Sequence, residues 1–79
     1  MMTLYDLDAC PYCRMVRDKL DALELPYEKV PVPMNRNDRR EVYAVSGQYL
    51  VPVLVAGDLV LDDEEKIIDH LEKTYGKKE

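Results

Sequence analysis

The sequence predicts an α/β domain of element order β-α-β-α-β-β-α, a four-stranded mixed sheet flanked by three helices. Three observations predict it. Cys10 and Cys13 stand between a short apolar segment, residues 3–7, and a helical pattern that begins at Pro11. Two apolar runs, residues 50–56 and 59–61, are divided by Gly57-Asp58, which marks a β-hairpin. Helical crossovers are right-handed and join parallel strands. The first two strands are therefore expected to be parallel, with the hairpin adding antiparallel strands on the other side of the first.

Taken in order, Leu4-Tyr5-Asp6-Leu7 reads as a short strand with partial alternation, and its position before the cysteines makes it central. From Pro11 to about Glu24, Cys13, Val16, Leu20 and Leu23 recur at spacings of three, four and three, the mark of a helix with one buried stripe. Pro11 suits the first helical position, where its missing N–H has no partner to lose, and Leu25-Pro26 ends the pattern. Residues 27–33 alternate loosely, but Pro31 and Pro33 cannot donate to a central ladder, so they form an edge strand. A second helix is expected over 35–46, with Asn37 as cap, Val42 and Val45 inward and Gly47 as its stop. The last helix starts at an Asp62 or Asp63 cap, carries Ile67, Ile68, Leu71 and Tyr75 on one side, and ends at Gly76. Residues 76–79 are expected to fray.

With 79 residues there is room for a single domain, 1–79, around one small core. No apolar run approaches the roughly 18 residues of a membrane span, and the first residues lack the basic start and apolar stretch of a signal peptide. The expectation is a cytoplasmic monomer with no membrane partner. A net charge of −5 argues against nucleic acid, because phosphate binding requires a basic face. Residues 57–72 hold seven acids against Lys66 alone, while Arg36, Arg39 and Arg40 gather near the middle. These clusters either face one groove or are solvated helix faces.

The two cysteines point to chemistry rather than to a staple, since a loop this short constrains the unfolded chain very little. At a strand-to-helix junction the pair can close a small disulfide ring reversibly. Cys10, at the cap, is placed to accept hydrogen bonds from the backbone N–H groups of Tyr12 and Cys13 and sits at the positive end of the helix dipole, both favouring its thiolate. Cys13, one turn in on the apolar stripe, is expected to be the buried, less acidic, resolving thiol. A zinc site is the competing reading, but tetrahedral zinc takes four ligands and His70 alone joins the cysteines.

Cys10-Pro11-Tyr12-Cys13, followed some forty residues on by Val51-Pro52, resembles the glutaredoxins, of thioredoxin fold, over nearly the whole chain. The segment from Pro52 to Ile67 is also similar to the N-terminal domain of glutathione S-transferases. The resemblance implies a small thiol-disulfide oxidoreductase that reduces protein disulfides or glutathione mixed disulfides, with Cys10 attacking and Cys13 resolving. It implies that Pro52 follows a cis bond and lies against the dithiol, and that Tyr12 walls the partner's site. It implies that the Val51 backbone pairs with the cysteinyl unit of a thiol peptide as a strand would. Asp63 and Glu64, opening the last helix, match the γ-glutamyl site, and Arg39 matches the glycyl-carboxylate ligand. The alternatives, an exposed charge at Arg39 and a helix cap at Asp63, stand beside these roles.

No tightly bound cofactor is implied; glutathione or a similar low-molecular-weight thiol acts as co-substrate, and disulfide-containing or thiolated proteins are the partners. The sequence departs from many glutaredoxins at Asp8, Leu50 and Asp62-Asp63, where a basic residue, a threonine and a glycine pair are usual. Asp8 in place of a cation opposes thiolate formation modestly, with Arg14 or Arg17 as compensating cations, and Asp62, Glu64 and Glu65 weaken a ligand with two carboxylates, which leaves another small thiol or a reductase protein as the natural partner. Two other readings follow. One is an iron–sulfur cluster held by Cys10 and a small thiol. The other is a dedicated electron donor reduced by thioredoxin reductase.

Overall fold

The computed structural model describes residues 2–76. Met1 and Lys77-Lys78-Glu79 lie outside the described residues, so of the tail expected at 76–79 only Gly76 is described. The elements are β1 (Met2–Asp6), α1 (Pro11–Ala22), β2 (Tyr27–Pro31), a 3-10 turn (Arg36–Asp38), α2 (Arg40–Ser46), β3 (Val53–Ala56), β4 (Leu59–Leu61) and α3 (Glu64–Tyr75). The sheet order is β2-β1-β3-β4, with β1 parallel to β2 and antiparallel to β3, and β3 antiparallel to β4. Fold class and topology are as the sequence predicts.

Strand alternation builds the core. Met2, Leu4 and Asp6 point to one face of β1 and are buried, and Leu54 stands opposite Leu4 on β3. Val16 and Leu20 of α1 and Ile67 and Leu71 of α3 close over them in one cluster. Val53, paired with Tyr5, turns to the other face, where Val42 is the buried residue of α2. The dithiol loop therefore springs from the end of a strand held on both sides and below.

Several boundaries differ from expectation: β1 ends at Asp6 rather than Leu7, β2 at Pro31 rather than Pro33, and three further differences have local causes. Helix α1 stops at Ala22 rather than near Glu24. Leu25 N donates to Leu20 O and Glu24 N to Asp21 O, the paired closing bonds of a Schellman motif, with Glu24 in the left-handed region at φ 57°. The helix expected over 35–46 is divided. Asn35, not Asn37, is the cap, its side chain accepting from Asn37 N at 3.0 Å, and the chain breaks at Arg39 (φ −88°, ψ 65°) before α2 begins. Strand β3 starts at Val53 rather than Leu50, because the Val51-Pro52 bond is cis and Pro52 has no N–H to give a ladder. On the edge strand, Val32 N donates inward to Asp6 O at 2.9 Å, so Pro31 and Pro33 occupy the positions that face away from the sheet.

Candidate active site

Cys10 is the N-cap of α1, in extended conformation (φ −83°, ψ 119°), with Pro11 opening the helix. Its backbone is fixed from both sides: Cys10 N donates to Leu7 O, and Arg14 N donates to Cys10 O. The sulfur makes no capping hydrogen bond, which corrects the expectation that it accepts from Tyr12 and Cys13.

Both thiols are free, Cys10 half-buried and Cys13 fully buried, as the apolar stripe requires. Burial pushes the Cys13 thiol up to about 12, with the neighbouring Cys10 and the Asp6 carboxylate adding to the effect and a hydrogen bond from the Leu7 backbone opposing it. One cysteine is reachable and the other is a concealed, protonated thiol. Tyr12, between them, is 54% exposed.

Asp6 and Arg17 went unread as site residues in the sequence. Asp6 is 1% exposed, and Arg17 donates to its Oδ1 at 2.5 Å and to Asp8 O at 3.4 Å. Arg17 lies four residues after Cys13, on the same side of α1, and Asp6 is two residues beyond Leu4 on the same face of β1. The signal was present in the alternation of β1, where an acid occupies an inward position. Of the two cations expected to compensate the acidic surroundings, Arg17 is therefore committed to Asp6, and Arg14 pairs at 3.9 Å with Asp18 on the surface.

A cleft of about 540 Å³ is lined by Arg36, Gln48, Tyr49, Leu50, Asp62, Asp63 and Lys66. It joins the segment before Val51 to the start of α3; of the expected groove residues Asp63 lines it, and Val51 does not. Neither cysteine, Glu64 nor Arg39 lines it. Asp63 caps α3, its side chain accepting from Glu65 N at 3.2 Å. Glu64 is half-buried in the first turn of α3, Val51 half-buried and Pro52 fully buried.

Arg39, expected as an open carboxylate ligand, is 8% exposed. Its Nε donates to Pro33 O at 2.9 Å, its Nη1 to Tyr49 O at 3.1 Å and its Nη2 to Met34 O at 3.1 Å. The cation that faces the cleft from this side is Arg36. Among the described residues no group of three or more His, Cys, Asp and Glu is placed to hold a metal ion. Nor is any described helix long and apolar enough to cross a membrane.

Residues 4–79 match the family described as glutathione S-transferase, N-terminal domain. The chain belongs to that family. The transferase-family domain is 42% identical over 79 residues to prostaglandin E synthase 2 of Mus musculus, covering 94% of this chain and 19% of that protein. It is 26% identical over 72 residues to an uncharacterized glutaredoxin-like 8.6 kDa protein of Clostridium pasteurianum, covering 90% of this chain and 96% of the other. Among solved structures it superposes on a glutathione transferase homolog of Drosophila mojavensis with bound glutathione at a TM-score of 0.87 and 35% identity, over 96% of this chain and 36% of that one. The chain thus spans about a fifth of the synthase and about a third of the transferase homolog. The four-stranded mixed sheet with three helices is the thioredoxin-like fold of the transferase N-terminal domains.

Proposed function

We propose that the domain is a small thiol-disulfide oxidoreductase of glutaredoxin type. The observation that carries this reading is the unequal pair at the head of α1: a half-buried Cys10 at the helix cap and a fully buried Cys13 one turn below. In the forward step the Cys10 thiolate attacks a sulfur of a protein disulfide or thiolated protein, a Cys10 mixed disulfide forms, and the partner leaves as a thiolate that takes up a proton. The mixed disulfide is then opened in one of two ways. Cys13, losing its proton as it attacks, closes the Cys10–Cys13 disulfide and releases the bound thiol; or, where Cys10 carries a small thiol taken from a thiolated protein, a second small thiol loses its proton and attacks that thiol's sulfur, releasing the Cys10 thiolate and forming the small thiol's disulfide. Because the Cys13 thiol is held up near 12, the second route is open whenever a small thiol reaches that mixed disulfide first.

The cleft beside Val51 is the place for that small thiol, glutathione or one like it. Asp63 offers a carboxylate to an ammonium, and Arg36 takes over from Arg39 as the partner for a carboxylate. Cleft acids Asp62 and Asp63 favour a second reading, in which a reductase protein such as thioredoxin reductase regenerates the dithiol. The deciding experiment gives the oxidised protein either glutathione with its reductase or NADPH with thioredoxin reductase, and follows the return of two free thiols. Recovery with glutathione supports the first reading and recovery with thioredoxin reductase alone the second; recovery with neither rejects both. In the same assay Cys13→Ser retains turnover of glutathione mixed disulfides and loses reduction of protein disulfides, and equal loss of both contradicts the roles given to the cysteines.

A further inference from the structure

Arg39 combines three properties that surface arginines lack. It is nearly buried, its three guanidinium nitrogens each donate to a different main-chain carbonyl, and those carbonyls belong to two separate loops. Pro33 and Met34 lie in the connection after β2. Tyr49 lies two residues before Val51, in the segment that lines the cleft with Gln48 and Leu50. The sheet ladder begins only at Val53, beyond this segment, and the Ser46 hydroxyl donates to Gln48 O at 3.2 Å on its other side. Nearby support is local: the Gln48 side chain bonds the Leu50 backbone, and Tyr49 stacks on Tyr43 with ring centroids 4.8 Å apart.

A planar, permanently charged fork can hold three carbonyls in fixed relative positions, whereas a lysine ammonium cannot span them. The break between the 3-10 turn and α2 falls at Arg39 itself, which brings its side chain under both loops.

We propose that Arg39 is a positioning residue that fixes the main chain of residues 49–51 and so sets the affinity of the adjoining cleft for a thiol peptide. This rests on the reading that the cleft receives such a peptide. The guanidinium touches neither the thiol nor the sulfurs; it acts through the Tyr49 carbonyl. An extended peptide pairing with the Val51 backbone needs that backbone pre-set, and a mobile one must be ordered at binding, which costs affinity but leaves the sulfur chemistry alone.

The test compares the native protein with Arg39→Lys and Arg39→Ala, using glutathione and a small glutathione mixed disulfide. In both variants KM for glutathione rises about tenfold, a modest effect for a misplaced binding group, while kcat at saturating glutathione stays within about twofold. Alkylation of Cys10 by iodoacetamide keeps its native rate. Added guanidinium ion at millimolar level lowers KM of Arg39→Ala toward the native value, and ammonium does not. Amide exchange over residues 48–51 quickens in both variants while that of β1 and α1 is unchanged. An unchanged KM, a fall in kcat that parallels slower Cys10 alkylation, or quickened exchange across the whole domain overturns the proposal. If the native protein does not turn over glutathione, that functional reading fails by itself; exchange then decides, and unaltered protection at 48–51 overturns the positioning role.

Discussion

The Arg17 guanidinium donates to the Asp6 carboxylate across 2.5 Å, at a residue only 1% exposed and within the field felt by Cys13. A buried charge left without its partner is strongly destabilising. Asp6→Asn is expected to lower the unfolding free energy by about 3 kcal/mol, the low end for a buried pair because Arg17 retains some access to solvent. Urea denaturation at neutral pH measures it. The same substitution removes one of the charges that push Cys13 up, so its titration, followed by the NMR shift of Cys13 Cβ, moves below about 12.

Alkaline stability follows from the concealed thiol. The folded value for Cys13, about 12, lies above its ordinary 9.0, so the folded state holds the proton more tightly than the unfolded chain. That stabilisation is complete below pH 9 and is lost as pH rises toward 12. Tyr27, also pushed up by burial, acts in the same direction in any variant. The expected result is a urea midpoint that falls more steeply above pH 9 in the reduced native protein than in Cys13→Ser, with the difference assigned to Cys13.

Asp63 has a cap role and a proposed ligand role, and two substitutions separate them. Asp63→Asn keeps an oxygen for Glu65 N but removes the charge: stability is expected to stay within about 0.5 kcal/mol of native while KM for glutathione rises. Asp63→Ala loses both and costs about 1 kcal/mol in addition. Equal KM in native and Asp63→Asn proteins would leave only the cap.

Glu24 occupies a left-handed position, φ 57°, that glycine adopts without steric cost. Glu24→Gly is expected to raise stability by about 0.5–1 kcal/mol, read as a higher urea midpoint with an unchanged slope.

How much of this was legible in the sequence depended on how local the causes are. The strand–dithiol–helix junction could be read because Leu4, Cys13, Val16 and Leu20 announce their faces by spacing alone, and the hairpin because Gly57-Asp58 supplies its own turn. Arg39 was placed in the right region but given an exposed task; its partners at Pro33, Met34 and Tyr49 are up to ten residues away, and only the folded chain brings them together. The division of the second helix had the same cause. Glu24 hid the end of α1 because glutamate is a good helix former that here takes a glycine's conformation. Asp6 was missed for the opposite reason, since alternation placed it inward while its charge argued against burial.

The two prolines on β2 bear on how crowded solutions of this domain behave. A small sheet with two free edges invites a neighbour's strand to join it, and chains that do so polymerise. Pro31 and Pro33 sit at the outward positions next to Val32, where an added strand would look for N–H donors and find none. The end of the β2 edge beside Asp6 is thereby less able to extend the sheet. The opposite edge, β4, is only three residues long. Both features weigh against strand-by-strand growth between copies of the domain.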